Sequence, residues 1–328
     1  MAPNHPVKIG SESFDTNIFL APLSGCADLA FRLIAREHGA KFCFFEMIDA
    51  HSVTCCGPRR RTLSILDTVE ADKPIAAQLL GEDPALMLCA AKEILKRVEV
   101  SFLDINAACP AKKVVKKKAG AYLLKDPKRL ASIIRKLSLA LPVPVTVKMR
   151  LGYDEDAVSD IDRTAKDCED NGASAIFVHG RTRIQGYSGL VDYGSIKRIK
   201  DGVKIPVFAS GNVFSPELAK KMFDETGCDG ILVGRGALGN PWIFGRIERY
   251  LAKGSAPEPE GFQTKKAVLK RHLSYIEKFK ACPPSGKVGF MRKVALWYLK
   301  AFPGSKSIRE KVSLVNTYED MIKLIDTF

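Results

Sequence analysis

Eight short apolar runs, each closing on a polar or conformationally special residue, constrain this chain more than any other feature. They read NIFLAPL (17–23), FCFFEM (42–47), PIAAQLL (74–80), SFLDINA (101–107), VPVTVKMR (143–150), ASAIFVHG (173–180), KIPVFASG (204–211) and CDGILVGRG (228–236). Most are apolar on both faces, as parallel strands covered by helices must be. Helical patterns separate them at 27–38, 83–97, 126–141, 156–171, 192–200 and 215–226. Asp83-Pro84, Asp126-Pro127 and Ser215-Pro216 each place a capping side chain before a proline suited to the first helical position. Eight such βα units predict an α/β fold of the (β/α)8 TIM-barrel type. The rival is a doubly wound open sheet, but no G-x-G-x-x-G follows the first run. Pro22, Glu46, Gln78, Asn106, Lys148, Arg150, His179, Asn212 and Arg235 stand at or just past the ends of these runs. In a TIM barrel those ends form the active-site face.

Around AKGSAPEPEG (252–261) the composition turns to Gly, Ser, Pro and Glu, which reads as a linker. Helical patterns follow at 264–280, 287–302 and 307–328. The expected organisation is therefore a barrel over 1–251 and a small all-helical domain over 252–328. The formal net charge is +14, and residues 261–328 hold 14 Lys and Arg against 5 Asp and Glu, a net of +9. A fifth of the chain thus holds well over half of the net charge, which points to a polyanionic partner. No run approaches the length needed to span a bilayer, and the first residues lack a charged-then-apolar leader pattern. A cytoplasmic protein without membrane contact is expected. The nine cysteines (26, 43, 55, 56, 89, 109, 168, 228 and 282) are irregularly spaced and contain no C-x-x-C pair. Neither a metal centre nor a disulfide framework follows from that pattern. Cys55-Cys56, beside Gly57-Pro58, read as loop residues.

Several strand ends suggest chemistry. LVGRGALGNPW (232–242) follows the eighth run: Gly234 and Gly236 allow close backbone approach, and Arg235 offers a fork that suits phosphate. Asn240-Pro241 is expected to open a helix whose N-terminus favours an anion. Lys148 and His179, at neighbouring strand ends, could together stabilise an anionic ring such as a reduced flavin. Gln78 can both donate and accept, which suits a uracil-like edge. Cys109 follows the fourth run and precedes Pro110, with Lys112, Lys113, Lys116, Lys117 and Lys118 close behind. A thiol so placed could be a nucleophile or a general acid. The lysines suit phosphate-backbone contact.

Together these residues resemble the tRNA-dihydrouridine synthase family, bacterial type. The likeness runs from FLAPLSGCADLAFR through DINAACPAKKV, KAGAYLL, VKMRLGY, VHGRT and GRGALGNPW to MRKVALWYLKAFPG. It implies an FMN-containing barrel, NADPH as reductant, and hydride transfer to C6 of a tRNA uracil. Cys109 would be the general acid that protonates C5, and the lysines after it would point outward to RNA phosphates. The positions matching the family's FMN site are Ala21, Pro22, Leu23, Gln78, Lys148, His179, Ser210, Gly211, Asn212, Gly234 and Arg235. Asn106 and Arg181 would hold the target base, and Lys112 and Lys113 would meet RNA. So would Arg292 and Lys293, with Trp297 and Tyr298 as either RNA contacts or core residues, the core being favoured for Trp297. No metal or protein partner is implied, and a monomer is expected. The chain departs from the family pattern at Ala108, where glycine is usual, and at Ser210-Gly211-Asn212, where many relatives have Asn-Gly-Asp. The main rival is a flavin barrel acting on a free small molecule, against which the basic tail argues. Others are a barrel that binds RNA without catalysis and a phosphate-binding isomerase without flavin.

Overall fold

The computed structural model describes residues 5–54, 64–300 and 304–327. The Cys55-Cys56 pair lies outside them, as do residues 301–302 and 328 at the ends of the last two expected helices. Two short strands, β1 (Val7–Ile9) and β2 (Glu12–Phe14), form an antiparallel hairpin. The remaining strands are β3 (Ile18–Leu20), β4 (Cys43–Asp49), β5 (Ile75–Leu80), β6 (Leu103–Ala107), β7 (Val145–Arg150), β8 (Ile176–His179), β9 (Val207–Ser210) and β10 (Gly230–Val233). They make a parallel sheet in the order β3-β10-β9-β8-β7-β6-β5-β4. The Leu20 N–H donates to the Phe42 carbonyl at 2.9 Å and joins the two ends of that order. The result is the expected TIM barrel, its eight strands drawn from the eight apolar runs.

Alternation along each strand sorts its side chains. Outward residues such as Leu20, Ile75, Ile105, Val147, Val178 and Ile231 pack under the surrounding helices. Inward residues form a separate cluster dominated by Phe19, Phe44, Phe102, Phe177 and Phe208. The three anticipated caps are present: Asp83 accepts from Leu86 N–H (2.7 Å), Asp126 from Arg129 N–H (3.1 Å) and Ser215 from Leu218 N–H (3.3 Å).

Some boundaries differ from expectation. The first hairpin escapes periodicity because its strands have only three residues each. Its Phe14 nevertheless enters the barrel and meets Phe42 edge-on, with ring centroids 4.8 Å apart. The stretch after 306 is two helices, Lys306–Leu314 and Tyr318–Asp326, because Thr317 caps a new start by accepting from Asp320 N–H (3.0 Å).

After the helix Ile243–Lys253, residues 255–260 carry no regular structure. The helices that follow share a second core, which includes Leu273, Ile276, Met291, Ala295, Val312, Met321 and Ile325. Ala30 and Ile34, on the barrel helix Leu29–Glu37, belong to the same cluster. The tail is thus docked on the barrel, and its charges take part: Arg271 grips Glu37 (2.6 and 2.7 Å) and Lys280 meets Asp28 (2.7 Å). Trp297 is half-buried, edge-on to Phe31 at 5.9 Å. Tyr298 takes the core alternative: it is 2% exposed, with its hydroxyl 3.3 Å from His272 Nδ1. Among the described residues no helix is long and apolar enough to cross a membrane.

Candidate active site

The barrel interior changes character along its axis. Its lower part is a dry layer of phenylalanines, whose neighbouring ring centroids lie 4.3 to 6.4 Å apart. Two residues further along the strands, the same inward face becomes polar: Ala76 gives way to Gln78, Phe102 to Asp104, Phe177 to His179 and Phe208 to Ser210. A strand's period of two makes this a switch in height, not in direction.

Above the polar layer lies a cleft of about 380 Å³. All eleven positions expected to hold the cofactor line it: Ala21, Pro22 and Leu23 after β3; Gln78, Lys148, His179 and Ser210 from strand ends; Gly211 and Asn212 after β9; Gly234 and Arg235 after β10. Asn106 and Cys109 line it too. Arg181, Lys112, Lys113, Arg292 and Lys293 do not.

The floor is a connected set of hydrogen bonds. Asp104, fully buried, accepts from Thr146 Oγ1 and from Gln78 Nε2, each at 2.7 Å. Gln78 Oε1 accepts from Asn106 Nδ2 at 2.7 Å. Asn106 Oδ1 accepts from the N–H groups of Ala108 (3.0 Å) and Cys109 (2.9 Å). Gln78 keeps one further N–H and one further lone pair for a ligand. Burial raises the Asp104 carboxyl to about 7, against the pull of Gln78, Thr146 and Lys148. Burial and the neighbouring Arg150 bring Lys148 down to about 8, with Asp104 opposing them. His179 is held neutral by burial and by the cations Lys148, Arg150, Arg181 and Arg235 around it.

The mouth is built for close approach. Gly211 has φ +135, and a Cβ there would lie 2.9 Å from Val191 Cγ2. Asn212 follows in the left-handed region at φ +54. No hydrogen bond among the described residues engages the N–H groups of Gly211, Asn212 or Gly234. With Arg235 these form a cradle for a compact anion. The Arg235 guanidinium stacks on Tyr187 (4.2 Å) and faces Phe214 (5.5 Å), both exposed at the rim. The helix expected to start at Asn240-Pro241 begins instead at Ile243. The turn that borders the cleft is the 3-10 segment Arg235–Ala237, so the helix terminus is not part of the cradle.

Two buried arginines hold the loops. Arg150 donates to the carbonyls of Ala108 (2.9 Å), Thr182 (2.8 Å) and Gly186 (2.9 Å), tying the cysteine loop to the loop that carries Tyr187. Arg181, expected to hold the target base, is 1% exposed and donates twice to the Gly189 carbonyl (3.2 and 2.8 Å). It positions the Tyr187 loop from beneath. Gly120 lets the lysine segment fold back, and Ala121 N–H donates to the Cys109 carbonyl at 3.1 Å. Lys112, Lys113, Lys116, Lys117 and Lys118 are all exposed, and Lys117 pairs with Asp49 at 2.8 Å. Arg292 donates to the Val315 carbonyl and to Asn316 Oδ1 (2.9 Å), bracing the tail helices. Lys293 donates to the Gly25 carbonyl in the loop after β3, and the Gly25 N–H donates to Glu46. Sequence reading left out Asp104, Thr146, Tyr187 and Phe214. Asp104 was accessible to it, because alternation puts it on the same face as Asn106.

The dihydrouridine synthase family model matches residues 19–327. tRNA-dihydrouridine synthase B of Pseudomonas aeruginosa is 38% identical over 307 residues, covering 92% of this chain and 90% of that protein. This chain belongs to the dihydrouridine synthase family. Membership makes it an oxidoreductase. A probable tRNA-dihydrouridine synthase 1 of Synechocystis is 34% identical over 325 residues, covering 98% of this chain and 88% of that one. The fold alone is shared with an old yellow enzyme homologue from Zymomonas mobilis, with TM-score 0.56, 14% identity and coverage of 81% and 96%. The same holds for a histamine dehydrogenase from Rhizobium, with TM-score 0.60, 13% identity and coverage of 83% and 51%.

If Arg181 serves the Tyr187 loop, Arg181→Ala leaves the Gly189 carbonyl without its two donors. Stability should fall by about 1–3 kcal/mol, and limited proteolysis should cut first within 183–191. An unchanged cleavage pattern would return Arg181 to ligand binding.

Proposed function

We propose that this enzyme reduces uridines in tRNA to 5,6-dihydrouridine, with FMN in the cleft, NADPH as the reductant and Cys109 as proton donor. The observation that supports it best is the convergence, in one cleft, of a uracil-matching amide, a cation, a neutral histidine and an anion cradle opposite a thiol. The residues fit FMN by chemistry: Gln78 toward a pyrimidine-like edge, Lys148 toward developing negative charge, and Gly211, Asn212, Gly234 and Arg235 toward a phosphate. Bound there, FMN would supply hydride to C6 of the uracil. Cys109 would deliver its proton to C5, so the thiol must be protonated when the base arrives. Asn106 holds the Cys109 backbone through its N–H and so directs the thiol into the cleft. The stem of Tyr187 and the ring of Phe214 border the mouth through which an unstacked base would enter.

We assign RNA phosphate contact to Lys112, Lys113, Lys116 and Lys118, which are exposed in the segment after Cys109, whereas Lys117 is paired with Asp49. In the tail, Lys278, Lys300, Lys306 and Lys311 are exposed, and we assign RNA contact to these. Arg271, Lys280, Arg292 and Lys293 join the tail to the barrel or brace it, and their loss should act through docking.

Incubating unmodified tRNA with this protein, FMN and NADPH should add two hydrogens to specific uridines, seen by mass spectrometry of the digested RNA. Cys109→Ala should lower the rate by roughly 10² to 10⁴, the usual worth of a general acid. NADPH oxidation without any gain on tRNA would overturn the reading and favour a small-molecule substrate. Lys148 supplies a pH signature. Its lowered value means the ammonium is complete below about 8 and is lost above it. FMN affinity should therefore be level below that pH and weaken as pH rises through it. Lys148→Met should bind FMN more weakly and without that alkaline decline; a parallel decline in the variant would exclude Lys148 as its source.

A further inference from the structure

We propose that Lys293, on the tail helix Pro284–Leu299, is a positioning residue for the cofactor cleft. It holds the turn 23–27, whose Leu23, Ser24 and Cys26 line the cleft after β3. This rests on the reading that FMN occupies the cleft. The tail then completes the cofactor site as well as meeting RNA. Of the tail's cations, Arg271 reaches Glu37, Lys280 reaches Asp28, and Lys293 reaches the Gly25 carbonyl. The first two end on the helix Leu29–Glu37 or on its cap, outside the cleft lining. Lys293 ends on the cleft wall itself.

The tip of this turn has little else to hold it. The ends are anchored, since Ala21 N–H donates to the Val233 carbonyl (2.9 Å) and the Ala27 carbonyl accepts from Arg32 (2.6 Å). Cys26 N–H and Ala27 N–H close the turn by donating to the Leu23 carbonyl (2.9 Å each). Those bonds fix its shape but leave the tip, Ser24-Gly25, between two spaces. Ser24 lines both the cleft and a second cavity of about 660 Å³ between barrel and tail. A Cβ placed on Gly25 would meet no atom within 4 Å beyond its chain neighbours. With so little packing, the tip takes its place from polar ties. Among the described residues these are Gly25 N–H donating to Glu46 of β4 and the Gly25 carbonyl accepting from Lys293. One tie comes from the barrel and the other from the tail.

The surroundings of Lys293 aim it at the barrel. The side chain is half-buried, and its ammonium lies 4.5 Å from the ring centroid of Phe290 and 5.4 Å from that of Trp297, one turn to either side on the same helix. Trp297 is in turn edge-on to Phe31 of the barrel. Phe290 also carries the Lys280 ammonium, 3.7 Å from its centroid. These rings restrain a side chain that otherwise has much rotamer freedom to lose, and they attract its charge. The bond it then makes is charge-assisted, and so stronger than a neutral one. Without it, the tip of the turn loses its tie to the tail, and the cleft wall moves with the tip.

The test compares Lys293→Met with Arg271→Met in the full chain. Methionine keeps the packing between the two rings and removes the donor. Arg271→Met removes the contact with Glu37, at the far end of the helix Leu29–Glu37, and is the control for looser docking. Hydrogen exchange of the peptide holding 23–27, read by mass spectrometry without flavin, reports on the turn. Quenching of FMN fluorescence reports on the cleft, in about 1 M salt, where charges more than about 3 Å away are screened. Lys293→Met should speed exchange in 23–27 about tenfold and weaken FMN binding about fivefold or more, the effects of one lost charge-assisted hydrogen bond. Arg271→Met should leave both within about twofold of the parent. Parental exchange in Lys293→Met, parental FMN affinity in Lys293→Met, or the same changes in Arg271→Met would overturn the proposal. Lys293→Gln takes the place of Lys293→Met should that chain not fold. If neither folds, the contact belongs to folding and the proposal falls. Failure of the FMN reading shows separately, as a parent that binds no flavin, and exchange then decides whether Lys293 holds the turn.

Discussion

A buried acid, Asp104, anchors one end of the hydrogen-bonded floor of the cleft. Asp104 is enclosed by protein, with the phenylalanine layer below and the amides of the cleft floor above. It requires donors, and Gln78 and Thr146 supply them. From the other end the N–H groups of Ala108 and Cys109 fix Asn106, and the two ends meet at Gln78. Lys148, level with Asn106 on the next strand and so one inward position above Asp104, offsets the anion and lines the cleft. Low dielectric makes such a network strong when complete and costly when broken.

The rest of the molecule supports that layer in two ways. From below, seven phenylalanines, one delivered by the first hairpin, fill the barrel and exclude water from the floor. From the side, long polar chains fix the loops above the strands: Arg150 and Arg181 hold the Tyr187 loop, and Lys293 reaches from the tail to the loop after β3. The tail is therefore both a basic surface and a brace for one wall of the cleft. Its net charge of +9 overstates what is offered to an anionic partner, because Arg271 and Lys280 are already paired with Glu37 and Asp28 of the barrel.

The fold and the strand-end residues that line the cleft were legible because both depend on strand periodicity. An inward Gln78, Asn106, Lys148, His179 or Ser210 follows from counting in twos along an apolar run. Glycines and Asn212 after the last strands were legible because the turns there need left-handed or close backbone. What could not be read depends on loop paths. Arg181 and Arg235 look alike in sequence, each beside a strand end. One turns beneath a loop to Gly189, and the other stays on the rim beside Tyr187. Lys117 and Asp49 are 68 residues apart and meet only because the lysine segment folds back over β4. Tyr298 and Trp297 differ by one position, and the phase of their helix against the barrel decides that Tyr298 is the more buried. The departure at Ala108 keeps the main-chain contact to Asn106, since that bond uses the N–H and not the side chain.

The most direct test of the central claim, that the cleft serves an RNA uracil, is a single turnover without oxygen. The holoenzyme is reduced with NADPH, freed of excess reductant and mixed with tRNA, while its visible absorption is followed. Unmodified tRNA should restore the oxidised spectrum in proportion to the dihydrouridine formed, and fully modified tRNA should leave it unchanged. A spectrum that stays reduced with unmodified tRNA, yet recovers with a free pyrimidine, would contradict the account.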